Sequence, residues 1–354
     1  MSSKTNQQKK KKKILLTGGG TGGSVTPLLA IFDDLKNEYD FIWFGTTRGI
    51  ERQMVKKEKI KYFSIFSGKL RRYFDWRNLL DPFLVVFGFF QSLTYLGTLR
   101  PDLIITAGGY VGVPVVLAAW FLHLPVLVHQ LDYRPGLANR IMGYFAKKIT
   151  TSLEKSVQDY AGKAVWTGSP IRRSFREAGD SLVGLKDDLP VLLVLGGGTG
   201  SRGINNLIEA SLEELTASCQ IIHITGRGKM VNAETENYHA FEFFDNEQMA
   251  GAIRSADLVI SRAGMGFLIE LAYLQKASVI IPMPDSHQED NAKILEESNA
   301  AIVLSEKELT SEKFAVMIQD LLENKYILQE LGQNLQKVIK HDDGKIAQVI
   351  QELI

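Results

Sequence analysis

Twice in this chain a short apolar strand runs into a glycine-rich turn and then into a helix. Ile14-Leu15-Leu16-Thr17 enters Gly18-Gly19-Gly20-Thr21-Gly22-Gly23, and Ser24-Val25-Thr26-Pro27 opens the helix behind it. Val191 to Leu195 enters Gly196-Gly197-Gly198-Thr199-Gly200-Ser201-Arg202-Gly203. Glycine lets the backbone turn through conformations closed to other residues. It also leaves amides bare at a helix N-terminus, where a diphosphate or a developing anion can be held. A tight turn without a ligand is the bland alternative, and five glycines in the six residues 18–23 weigh against it. One such opening per half predicts two nucleotide-binding-type domains.

The length of 354 residues agrees with about two domains. A net charge of +1 excludes strong overall steering toward nucleic acid, and no nucleic-acid partner is expected. A single cysteine, Cys219, excludes a disulfide framework and fits a reducing compartment. Met1 to Lys13 is polar and ends in the run Lys9 to Lys13. It lacks the apolar core of a signal peptide and reads as a solvated, disordered tail, with a weak pull toward anionic membranes as the alternative. Val111 to Val128 is almost wholly apolar, but Pro114 and Pro125 interrupt it, and a strand followed by a turn is expected there. Leu79 to Leu99 is interrupted by Asp81, Pro82, Gly88 and Gln91. Neither stretch supplies the clean run of about 20 apolar residues that spans a bilayer.

Short continuous apolar strands alternate with helical stretches along the chain, the pattern of parallel sheets covered on both faces. Strands are expected at Phe41 to Phe44, Tyr62 to Ile65, Leu103 to Thr106, Val126 to His129, Ile149 to Ser152 and Ala164 to Thr167. After Gly168-Ser169-Pro170 they resume at Val191 to Leu195, Ile221 to Thr225, Phe241 to Phe244, Leu258 to Ile260, Ser278 to Ile281 and Ala301 to Val303. The organisation expected is a tail over 1–13, a first domain over 14–167 and a second over 168–339. The end of the chain, 340–354, forms a helix that packs back on the first domain, with Asp342 or Asp343 as its cap.

Gly18, Gly20 and Gly23, and again Gly198, Gly200 and Gly203, satisfy the spacing of a dinucleotide site. That fingerprint also needs an acid at the end of the second strand, to bind the ribose. The two second strands end in Gly45-Thr46-Thr47 and Gly226-Arg227, so an NAD enzyme is disfavoured and an NADP enzyme using Arg227 stays only as an alternative. A carboxylate appears elsewhere: Ser261-Arg262-Ala263-Gly264-Met265-Gly266-Phe267 opens a helix that carries Glu270, placed to accept two ribose hydroxyls or else merely to face solvent. Polar residues 285–291, His287 and Gln288 among them, follow another strand at the sheet edge where such folds bind ligands.

With these residues in view, the chain resembles the MurG family of glycosyltransferases, glycosyltransferase family 28. Five segments carry the resemblance: Gly18 to Gly23, Ala107-Gly108-Gly109-Tyr110-Val111, Gly168-Ser169-Pro170-Ile171-Arg172, Arg262 through Glu270, and His287-Gln288 with Asn291-Ala292. The resemblance implies a GT-B fold, an α/β arrangement of two Rossmann-like parallel-sheet domains facing across a cleft. It implies inverting transfer of N-acetylglucosamine from UDP-N-acetylglucosamine to lipid I, a polyprenyl-diphosphate acceptor, in peptidoglycan synthesis. No cofactor and no metal are expected. The enzyme is expected as a peripheral protein on the cytoplasmic side of the cell membrane. For the UDP-sugar the resemblance implies Thr21, Gly22, Gly23, Arg172 near the diphosphate, Gly198, Thr199, the Phe244 backbone at uracil, Met265, Gly266, Phe267, Glu270 at the ribose, and His287 and Gln288 at the sugar hydroxyls. For the acceptor diphosphate it implies Gly19, Gly20, Gly108, Gly109 and Tyr110.

Several positions depart from the family. Ser24 stands where a histidine with a catalytic role is usual, and a serine is no base near neutral pH. His129-Gln130-Leu131-Asp132 replaces a usual His-Glu-Gln-Asn, and Gly198-Thr199 replaces a usual Ser-Gln. Asp132 and His129 are therefore the candidate bases, each with a structural alternative as a helix cap or a backbone partner. Lys69, Arg71, Arg72 and Arg77 lie beside Tyr73, Phe74 and Trp76 and precede the apolar run from Phe83 to Phe90. That mixture suits a membrane interface. A related enzyme with another lipid acceptor, and a catalytically weakened homologue, are the remaining alternatives.

Overall fold

A computed structural model describes residues 11–20, 22–69, 80–177, 185–186, 188–231, 233, 235–306 and 310–354. The tail 1–10, Thr21, and the stretch Arg71 to Arg77 with its basic and aromatic residues lie outside the described residues. In chain order the elements are β1 (Lys13–Thr17), α1 (Thr26–Leu35), β2 (Asp40–Gly45), α2 (Glu51–Lys57), β3 (Lys61–Ser64), α3 (Asp81–Leu99), β4 (Leu103–Thr106), α4 (Gly112–Phe121), β5 (Val126–Gln130), α5 (Leu137–Phe145), β6 (Lys148–Thr151) and β7 (Ala164–Trp166). There follow α6 (Arg173–Glu177), β8 (Val191–Leu195), α7 (Arg202–Ala210), α8 (Leu212–Thr216), β9 (Gln220–Ile224), β10 (Tyr238–Phe241), α9 (Asn246–Ser255), β11 (Leu258–Ser261), α10 (Met265–Tyr273), β12 (Ala277–Ile280), α11 (His287–Glu297), β13 (Ile302–Val303), α12 (Ser311–Glu323), α13 (Lys325–Val338) and α14 (Lys345–Leu353).

The strands form two sheets, ordered β3-β2-β1-β4-β5-β6-β7 and β10-β9-β8-β11-β12-β13. The pairs of β1 with β2 and β4, and of β8 with β9 and β11, are parallel. Central strands such as Ile14 to Leu16 and Leu192 to Val194 are wholly buried, which is why they read as unbroken apolar runs. By its contacts the chain divides into two compact units, one of Met1–Gln130, Leu137–Thr150 and Gly344–Ile354, the other of Leu131–Gly136 and Thr151–Asp343. In each sheet the strand order reverses beside the first strand of that half, between β1 and β4 and between β8 and β11. Ligands of open parallel sheets bind at the carboxyl ends of such strands. Both glycine loops leave the sheet at these two points.

Some local expectations give way. Gly112 to Phe121 is the helix α4, not a strand. Pro114 falls in its first turn, where a missing N–H costs no helical hydrogen bond. Leu79 to Leu99 holds the continuous helix α3, with Pro82 again near the start, and among the described residues it is long and apolar enough to cross a membrane by length and composition alone. The strand expected at Phe241 to Phe244 lies earlier, at Tyr238–Phe241. Gly344, in the left-handed region at φ 88°, stands at the cap position of α14, directly after Asp342 and Asp343. The apolar face of α14 (Ile346, Val349, Ile350 and Leu353) is buried, and α14 packs on α1 within the first unit.

Candidate active site

In the first unit, the loops after β1 and β4 meet. A Cβ on Gly109 would stand 2.6 Å from Gly19 O, so only glycine lets the two backbones come this close. Gly109 also sits at φ 88°, which favours glycine for a second reason. The ring of Tyr110 lies against Gly20. Gly19, Gly20, Gly108, Gly109 and Tyr110 are thus gathered in one place, with Ser24 hydrogen-bonded through its hydroxyl to Gly19 O at 3.4 Å. The Gly20 amide, expected to face an acceptor diphosphate, instead donates to the buried carboxylate of Glu51 at 3.1 Å, so it is not free for an anion. Gly22 O accepts the amides of Val25 and Thr26 at the start of α1, while the amides of Gly22 and Gly23 have no protein acceptor among the described residues.

His129, expected as a candidate base, is wholly buried at the end of β5. Its Nδ1 pairs with the Thr150 hydroxyl at 2.8 Å, and burial lowers its pKa to about 4. A ring without solvent access cannot take a proton from a substrate, so His129 is a core residue and not a candidate base.

The second unit gathers the other residues. Arg172 donates through Nη2 to Glu270 and through Nη1 to Asn246, and stacks over Phe175 with the guanidinium carbon 4.7 Å from the ring centre. Glu270 is buried, not a surface residue of α10. Burial raises its pKa, and the Arg172 guanidinium pulls against that rise. Phe244, buried and tilted against Phe241, lies two residues before Asn246. Gly264 caps α10 without a side chain, and the carbonyl of Gly264 takes the amides of Phe267 and Leu268. The amides of Met265 and Gly266 have no protein acceptor among the described residues. They point from a helix N-terminus, where the backbone dipole favours an anion.

At the matching loop after β8, the Thr199 and Gly200 carbonyls accept Lys229 Nζ at 2.8 and 3.0 Å. Arg262 reaches from the loop after β11 to Ser201 Oγ at 2.6 Å, to the Ile281 and Pro282 carbonyls, and to Glu306 in an ion pair of 2.7 Å. Gly198 is exposed, and a Cβ built on it would meet no atom within 4 Å.

Around the start of α11 lies a third cluster. Asn291, fully buried, donates from Nδ2 to Asp132 Oδ1 at 3.0 Å and to Ala263 O at 3.1 Å, and accepts the Tyr133 amide at 2.9 Å. His287 Nε2 is 4.0 Å from the same Asp132 oxygen. Gln288 holds the Met283 amide through Oε1 at 3.1 Å. Asp132 is one-third exposed, so of the residues considered as bases it is the one presented to solvent. Among the described residues no three His, Cys, Asp or Glu side chains come together to hold a metal ion.

Sequence reasoning missed Glu51, Asn246, Lys229 and Asn291 as parts of these clusters. Only Asn291 had a signal, through its place beside His287 and Gln288. The others are brought to the loops from positions far away in the chain.

Residues 14–151 match the glycosyltransferase family 28 N-terminal domain, and residues 191–347 match its C-terminal domain. The chain is 40% identical over 319 residues, 87% of its length and 90% of the relative's, to the UDP-N-acetylglucosamine–N-acetylmuramyl-(pentapeptide) pyrophosphoryl-undecaprenol N-acetylglucosamine transferase of Clostridium botulinum strain Langeland. It is 37% identical, over 86% of its length and 90% of the relative's, to a protein of the same description, numbered 2, from Bacillus cereus. A crystal structure of MurG from Acinetobacter baumannii superposes with a TM-score of 0.76 at 26% identity, covering 97% of this chain and 99% of that one. The expected two-domain parallel α/β architecture is shared with these glycosyltransferases.

Proposed function

We propose, from the premise that this chain belongs to glycosyltransferase family 28, that it moves N-acetylglucosamine from UDP-N-acetylglucosamine to lipid I with inversion at the anomeric carbon. The observation that carries the reading is Glu270. A buried carboxylate next to the anion-favouring start of α10, held by a single arginine, is suited to two ribose hydroxyls with the diphosphate at the helix amides. The second unit then binds the nucleotide sugar, with Phe244 at uracil, Met265, Gly266 and Phe267 along the diphosphate-sugar, and His287 and Gln288 at the sugar hydroxyls. The first unit takes the acceptor diphosphate at the loops that carry Gly22 and Gly23 and Gly108 to Tyr110; Gly22 and Gly23, expected at the UDP-sugar, are assigned to the acceptor here because the Gly20 amide is taken by Glu51 and theirs are not.

In the reaction the acceptor hydroxyl oxygen attacks the anomeric carbon, the bond to UDP breaks, and the proton passes to a base. Asp132 fills that role, since its side chain is partly open to solvent beside His287 and oriented by Asn291. Helix amides and Arg172 take up the charge that grows on the leaving diphosphate. Titration of UDP-N-acetylglucosamine into the protein tests the donor site: saturable binding that Glu270→Gln weakens by roughly tenfold or more supports it, and equal binding by both proteins removes it.

The acceptor is carried by a lipid, and the first unit has an apolar outer face that fits a membrane surface. Phe83, Val86, Phe87 and Phe90 of α3 are each more than half exposed, as are Trp120 and Phe121 at the end of α4. Phe89 joins the two helices by its contact with Phe121, ring centres 6.3 Å apart. Such a face supports peripheral binding at the cytoplasmic leaflet.

A further inference from the structure

Glu51 opens the charged helix α2, yet none of its surface reaches solvent. Its Oε1 accepts the Thr46 amide at 2.8 Å and also the Thr46 hydroxyl. Its Oε2 accepts the Gly20 amide at 3.1 Å. The Tyr62 hydroxyl donates to Thr46 O and lies 3.5 Å from the same carboxylate. A Cβ on Gly19 would fall 2.5 Å from Glu51 Oε1, so the loop after β1 is laid directly over this group. Glu51 makes no ion pair among the described residues. Burying a carboxyl group without a cation is costly unless several donors converge on it. Here the donors are backbone and hydroxyl groups of the loops after β1 and β2, which makes the carboxylate a fixed point joining them.

We propose that Glu51 is the positioning residue for acceptor binding: it draws the Gly20 amide inward and so leaves the amides of Gly22 and Gly23 turned out at the start of α1 for the acceptor diphosphate. This rests on the reading of that loop as the acceptor site. The geometry also assigns the glycines unequal roles. Gly19 gives the carboxylate room, Gly20 is its ligand, and Gly22 and Gly23 meet the substrate.

Glu51→Gln keeps the shape but turns one acceptor oxygen into a donor facing another donor. The expected result is a rise of about tenfold or more in KM for a soluble lipid I analogue, with KM for UDP-N-acetylglucosamine held within about twofold. Glu51→Asp keeps the charge and recovers part of the acceptor KM. An unchanged acceptor KM in Glu51→Gln overturns the proposal, as does an equal fall in activity toward both substrates together with a lowered Tm. A second measurement does not depend on the substrate. Amide hydrogen exchange over residues 18–26 and 45–49 accelerates in Glu51→Gln while residues 191–195 exchange as in the wild type; unchanged exchange in both loops overturns the proposal. Absence of transfer by the wild-type protein itself counts against the reading of the acceptor site, and the exchange measurement still decides whether Glu51 holds the loop.

Discussion

Asn291 Nδ2 donates to Asp132 at 3.0 Å across 159 positions of sequence and also to Ala263 O, while Oδ1 accepts the Tyr133 amide. The amide thereby ties the part-exposed aspartate to α11, the helix that begins with His287 and Gln288. The proposed base and the proposed sugar contacts are set by one buried group.

Asp132→Asn keeps this packing and removes the proton acceptor. Its kcat is expected to fall by about 10²-fold or more, the usual contribution of a general base, with KM for the donor nearly constant. Steady-state kinetics on the folded variant checks this, and near-normal kcat would remove Asp132 from the mechanism.

Asn291→Ala acts through the same aspartate. It leaves the Tyr133 amide and the Ala263 carbonyl without their partner, at about 1–3 kcal/mol for each buried group so exposed. Thermal unfolding should show the loss. In addition kcat of the folded variant should drop with KM for the donor nearly constant, which simple destabilisation would not do.

Glu270→Ala strips the partner from Arg172, whose side chain is only 13% exposed. Leaving such a charge unpaired costs about 3–5 kcal/mol. Glu270→Gln is the gentler test and is expected to weaken UDP-N-acetylglucosamine binding by roughly tenfold or more, as loss of a charged hydrogen-bond acceptor does. Calorimetric titration measures it.

Two buried histidines set the acid limit of stability. Burial lowers both His129 and His223 to about 4. His223 lies between the Tyr238 hydroxyl and Asn205 Oδ1, at 2.8 and 3.2 Å. The unfolded chain takes up protons near pH 6.5, where the folded one does not. Stability is therefore complete above about pH 6.5 and falls as the pH drops toward 4, by about 3 kcal/mol for each histidine. Urea unfolding at stepwise pH should show this slope, and His223→Gln should flatten it.

Replacing Phe83, Phe87 and Phe90 together by serine should abolish flotation with anionic liposomes while sparing turnover of a soluble acceptor. All three are at least 60% exposed, so their loss costs little folding stability. Equal flotation of wild type and variant would exclude this face as the membrane contact.

Periodicity and the doubled glycine turns made the α/β architecture legible, because buried parallel strands leave unbroken apolar runs such as Ile14 to Leu16. The errors have local causes. Pro114 suggested an interruption, yet in a first helical turn proline is at home. Phe241 to Phe244 is as apolar as a strand, but only Phe241 lies in one; Phe244 is buried beyond it against Phe241. His129 was recognised as a polar residue at a strand end, and nothing in its neighbours revealed that it is enclosed. Glu51 stands in a charged stretch of sequence, and no neighbouring residue there signals its burial. Its burial depends on Gly20 and Thr46, which approach it only once β1 and β2 pair.

The central claim is tested most directly by mixing the purified protein with UDP-N-acetylglucosamine and a lipid I analogue and following both UDP and the product. The account predicts UDP release that depends on the acceptor, matched mole for mole by a product carrying one added N-acetylglucosamine in the inverted, β configuration. UDP release at the same rate without acceptor, or retention of the α configuration in the product, would contradict it.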